Sequence, residues 1–144
     1  MESGFARGDR DEHSPVYSRY LFHPDYHVGL ILYEEFLRER TRELVVPTQG
    51  GIYNSFYIYP LILYSPHPSF DLMGSVLWAY PDEVDGMGVV KDAYLGVEFD
   101  GGFCWKVTDK AHLGAEAGYL LPGDGLGKDL PKPYKILGKF TFEF

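Results

Sequence analysis

The 144 residues hold 21 Asp and Glu against 13 Lys and Arg, a formal net charge of -8, so the chain offers no basic face and nucleic acid is excluded as a partner. A single Cys excludes an intrachain disulfide and a cysteine-based zinc site. No run of about 18 apolar residues occurs, which excludes a membrane-spanning helix but not a membrane-spanning barrel, whose strands need only about 10 residues of alternating polarity.

In chain order the sequence divides at about residue 50. Residues 1–49 read as a loop segment containing one short helix. Met1 to His13 has neither the basic nor the apolar region of an export signal, so an exported barrel requires this chain to be the C-terminal part of a longer protein. Ser3 to Tyr20 is charged and irregular. His23, Asp25 and His27 would suit a metal chemically. A polar loop entering a helix at Pro24-Asp25 accounts for them better, and no metal or other cofactor is expected. Val28, Ile31, Leu32 and Phe36 recur near helical spacing and predict a helix over roughly 28–42. Its Arg38 and Arg42 either project into a pore and hold an acidic saccharide, or pair along a solvated face with Glu34, Glu35, Glu39 and Glu43.

Residues 50–144 read as five antiparallel strands in an up-and-down meander. The first, Gly51 to Tyr64, is apolar on both parities and contains Pro60, so its facing is open. After a turn at 65–69 comes Phe70 to Tyr80, with Phe70, Leu72, Val76, Trp78 and Tyr80 on one face. A polar loop at 81–91 leads to 94–108, where Leu95, Val97, Phe99, Phe103, Trp105 and Val107 alternate against Glu98, Asp100 and Lys106. The strand 112–121 follows a tight turn. A glycine- and proline-rich loop, 122–133, precedes the last strand, 134–144. Its Gly123-Asp-Gly-Leu-Gly127 lacks the Lys-Ser/Thr and helix of a phosphate loop and reads as a flexible tip. Asp124 and Asp129 there have no spacing that demands calcium.

Connections thus alternate short, long, short, long. Outer-membrane barrels have short periplasmic turns and long extracellular loops, so the last strand should run inward. The abundance of Tyr (12), Phe (10) and Gly (17) suits interfacial girdles and close strand packing.

The terminal run Ile136-Leu-Gly-Lys-Phe-Thr-Phe-Glu-Phe144 resembles the C-terminal signature of bacterial outer-membrane barrel proteins. Ile136, Phe140, Phe142 and Phe144 match its alternating hydrophobic positions, and Gly138 fills the remaining one. The resemblance implies recognition by the barrel-assembly machinery and location in the outer membrane, against lipid and lipopolysaccharide. Gly4-Phe-Ala-Arg-Gly-Asp9 and Asp25-Tyr-His-Val-Gly-Leu-Ile-Leu-Tyr33, followed by the paired strands, look more loosely like the C-terminal part of porins of the alginate-export type. That likeness implies further N-terminal strands completing the barrel, and a channel for small polar or saccharide solutes.

On this reading the polar parity lines the pore: Glu98, Asp100, Lys106, His112, Glu116, Lys135, Lys139 and Glu143, with Arg38 and Arg42 from the helix. No catalytic residue is expected, because no serine stands beside a base. The rival readings are a barrel enzyme acting on lipid or saccharide and a passive barrel anchoring a partner. Parity also constrains the turn after Thr108. Three unpaired residues, Asp109 to Ala111, would pair Thr108 with His112, Lys106 with Gly114, Trp105 with Ala115 and Cys104 with Glu116.

Overall fold

A computed structural model of the protein describes residues 1–8, 20–23, 25–40, 42, 49, 51–83, 94–127 and 130–143. Expected features at Pro24, Glu43, Asp129, Phe144 and in most of the loop 81–91 lie outside the described residues.

Among the described residues the fold is all-β, with a short helical segment over 32–40 and a single 3-10 turn at Asp124–Leu126. Seven strands among the described residues form one antiparallel sheet: β1 (Glu2–Ala6), β2 (Ser55–Tyr59), β3 (Leu61–His67), β4 (Phe70–Tyr80), β5 (Gly96–Thr108), β6 (Ala111–Pro122) and β7 (Tyr134–Phe142). The spatial order is β1-β2-β4-β5-β6-β7, with β3 beside β4. The sheet is open: among the described residues β1 and β7 do not pair.

Two differences from the sequence reading lie at the first edge. The strand expected over 51–64 is divided. Tyr57 opposite Ala79 and Leu61 opposite Ser75 keep one register against β4, so the chain does not slip between β2 and β3. Pro60 interrupts the ladder because it has no N–H, although its carbonyl still accepts the Val76 amide at 3.2 Å. The N-terminal residues, expected to be irregular, form β1, with Glu2 opposite Tyr59 and Ala6 opposite Ser55. Gly4 points inward and leaves room for its large neighbour: a Cβ on it would lie 2.4 Å from the Tyr57 ring. Five residues give too little alternation to be recognised in sequence.

The β5–β6 hairpin preserves the expected faces by a different device. The turn holds only Asp109 and Lys110, and Thr108 pairs with Ala111. A bulge between Lys106 and Thr108 restores parity, so Lys106 faces His112, Cys104 faces Gly114 and Trp105 faces Leu113. The pairings expected from a three-residue turn are displaced by two positions at Lys106, Trp105 and Cys104 and by one at Thr108. Glu116 lies opposite Gly102, not Cys104.

The register carries each parity across the whole sheet. The face called outer here shows Phe5, Phe56 and Ile58, then Ile62 and Tyr64, then Leu72, Val76 and Trp78, then Phe99, Phe103 and Trp105. It continues through Leu113 and Tyr119 to Tyr134, Ile136, Phe140 and Phe142. The inner face shows Glu2, Asp71, Ser75, Glu98, Asp100, His112, Glu116, Lys135 and Lys139.

The core occupies one end of the inner face. Residues 28–40 leave the β1–β2 connection and fold back over β5 and β6. Val28, Ile31, Leu32, Tyr33 and Leu37 pack there against Leu77, Ala79, Leu95, Leu120 and Leu126. Each fully buried side chain of this size contributes about 1.5–3 kcal/mol. The helical segment is shorter than the 28–42 expected: a π-helical stretch, Leu32–Leu37, and one α-turn, Arg38–Arg40. Its wide winding shows in the Phe36 amide, which reaches the Ile31 carbonyl at 2.9 Å.

Candidate functional site on the inner face

The inner face is organised around Glu98. Strand alternation points its side chain inward at the level where residues 28–32 cross the sheet, and it is fully buried. One carboxylate oxygen accepts the Leu30 and Ile31 amides at 2.5 and 2.7 Å, and the other accepts Leu32 at 2.8 Å. These are N–H groups that a helix start leaves without intrahelical partners. A negative charge there also complements the helix dipole.

Glycine makes the approach possible. Gly29 has φ +73°, and a Cβ on it would lie 2.9 Å from a Glu98 carboxylate oxygen. Gly29→Ala combines left-handed backbone strain with this clash and is expected to destabilise the protein by more than about 1 kcal/mol, read as a lowered denaturation midpoint. Gly118 does the same from β6, where a Cβ would meet Asp100 Oδ1 at 2.7 Å and the Leu30 side chain at 3.2 Å.

Further bonds fasten the segment. Lys135 Nζ, from β7, donates to the Leu30 carbonyl at 3.3 Å and to Glu35 at 2.5 Å. The buried Tyr33 hydroxyl lies 2.6 Å from Ser55 Oγ, and burial raises its pKa above the ordinary phenol range. At the segment's start, Tyr26 and Tyr57 both hydrogen-bond Glu2.

The expected pore residues therefore separate into groups. Glu98 and Asp100 lie on the expected face but beneath the segment, so they do not line an open surface. Lys135 is spent on the segment. Glu116 and Lys139 form an ion pair at 2.5 Å farther along the same face. Lys106 reaches back to Asp109 in the turn at 3.1 Å, and His112 lies opposite it. Glu143 is exposed beyond β7, its amide bonded to the Lys110 carbonyl. Arg38 and Arg42 share a hollow of about 580 Å³ with Glu35, Glu39 and Gln49, where Arg42 lies 3.5 Å from Glu39. Acidic and basic groups thus alternate there, as helical pairing requires, and the set is not purely cationic. His23 and Asp25 contact each other, whereas His27 turns to Glu34. Among the described residues no group of three metal-ligating side chains forms.

The outer face is the second feature. From β1 to β7 none of its outward positions carries Asp, Glu, Lys or Arg among the described strand residues paired above, and His67, opposite Phe70 at the turn end of β3, is the one imidazole there. Large apolar side chains stand open there, among them Tyr134 (76% exposed), Ile136 (71%) and Phe140 (70%). The chain matches no family model, no curated protein and no solved structure.

Ile136, Phe140 and Phe142 of the terminal signature project from this uncharged face. Sequence reading missed Gly29, Tyr33, Ser55 and Tyr57 as members of the inner site. Only Gly29, standing just before an apolar helical pattern, carried a signal that could have marked it.

Proposed function

We propose that the chain is part of an outer-membrane β-barrel of porin-like type, and that the barrel passes small polar or saccharide solutes. The observation that supports it most is the outer face: a continuous apolar surface with all paired-strand charges on the opposite side. A water-soluble sheet with one apolar face buries that face under a second layer. Here the layer, residues 28–40, covers only one end of the opposite face, where Leu77, Ala79 and Leu120 meet it, and leaves the outer face bare. At about 3.3 Å per residue and a tilt of about 40°, the 11 residues of β4 would rise roughly 28 Å, close to the apolar band of about 25 Å in such barrels.

Closure requires strands beyond those of this chain, taken up at the β7 edge and at the β1–β3 edge. These are the proposed partners, together with lipid, lipopolysaccharide and the barrel-assembly machinery. Residues 28–40 then narrow the lumen from its outer mouth. The solute passes beside Glu116, Lys139 and His112, which lie clear of that segment. The resemblance of the terminal strand to the outer-membrane signature adds the location.

Reconstitution into planar bilayers tests the reading, with the chain either alone or joined to its flanking strands. Stepwise ion conductance is expected. Stable insertion without conductance would indicate a structural anchor, and a chain that stays in water and ignores lipid would remove the membrane reading altogether.

A further inference from the structure

We propose that Asp100 is a protonated carboxyl that donates its hydrogen to the carboxylate of Glu98, so that the pair beneath residues 28–40 binds one proton and carries one negative charge. Two residues apart on β5, both side chains point inward and both are at least nine-tenths buried. Their carboxyl groups lie within hydrogen-bond reach of each other. Glu98 has its oxygens occupied by three backbone amides, which is the bonding of an ionised carboxylate. Asp100 has no comparable set. Its Oδ2 has only the Ser75 hydroxyl at 3.5 Å, and its Oδ1 is buried with no donor at all. The group left within its reach is therefore an acceptor, and two acceptors bond only through a hydrogen held between them.

Among the described residues the surroundings supply no neutralising cation. Tyr59 faces the pair from β2, Tyr33 from the helical segment and Glu116 from β6, and none of these is a cation. Lys135 of β7 ends on the Leu30 carbonyl and Glu35. Among the described residues neither Glu98 nor Asp100 is in an ion pair. Two buried like charges in contact without a cation cannot both persist, and a shared proton removes one of them. The proton thereby leaves Glu98 free to hold the three amides, so the segment's seat depends on it.

Infrared spectroscopy of the full chain in detergent at neutral pH tests this directly, with no need for a channel. Expected is a carboxylic-acid C=O band that shifts when aspartate is labelled with ¹³C at the side-chain carboxyl and stays put when glutamate is labelled. Asp100→Asn should abolish the band yet keep the Leu30, Ile31 and Leu32 amides protected from hydrogen exchange within threefold, since its N–H₂ donates to Glu98 in place of the O–H. Absence of the band, a band that shifts with glutamate labelling, or a band that emerges only after metal ions are chelated would overturn the proposal, the last by showing a cation in the proton's place.

Discussion

Ala117→Arg is expected to destabilise the lipid-inserted protein by about 2–4 kcal/mol, the cost of a cation near the middle of a barrel's lipid face. Ala117 stands between Gly101 of β5 and Ile136 of β7, midway along the outer face. Leu137→Arg provides the control on the opposite face. Leu137 pairs with Glu116, so a cation there finds an anion and water, and the change should stay within about 1 kcal/mol. Urea unfolding from phospholipid vesicles gives both numbers. Equal costs for the two substitutions would show that the outer face does not meet lipid.

Glu98→Ala should release residues 28–40 from the sheet. It deprives three backbone amides of a charged acceptor and leaves a void beneath the segment. Each bond to a charged partner is worth about 1.5–3 kcal/mol, but the segment can lift and let water satisfy its amides, so the loss is capped at the energy of the seat, on the order of 3–5 kcal/mol. The strands β4 to β7 keep their ladders. Cleavage by protease near 28–40 should therefore speed up by at least tenfold while the β-sheet signal in circular dichroism is retained. Loss of the sheet itself, or unchanged protease resistance, would contradict the role given to Glu98.

The strands were legible where alternation is long. In β4 through β7 one parity carries large apolar residues or Gly and Ala, the charged residues sit on the other, and the register joins those parities as expected. Legibility failed where a local feature replaced the pattern. Pro60 divided a strand without altering its register, and β1 was too short to show a period. At the β5–β6 turn, parity demanded an odd number of unpaired residues between the strands. The chain supplied it with a two-residue turn and a bulge, a choice that hydrophobic spacing does not distinguish. The inner site was hidden for another reason. A lone Glu on the polar side of a strand looks the same whether it faces solvent or a backbone turn more than sixty residues away in sequence. Only the folded path of residues 28–32 shows that Glu98 is a buried anchor.

The two tryptophans make the lipid assignment directly measurable, because Trp78 and Trp105 both project from the outer face, 37% and 46% exposed. Vesicles whose acyl chains carry bromine should quench the emission of the inserted protein strongly, while acrylamide dissolved in the water should quench it weakly. The opposite pattern, efficient quenching by acrylamide and none by brominated chains, would show that this apolar face lies against something other than a bilayer.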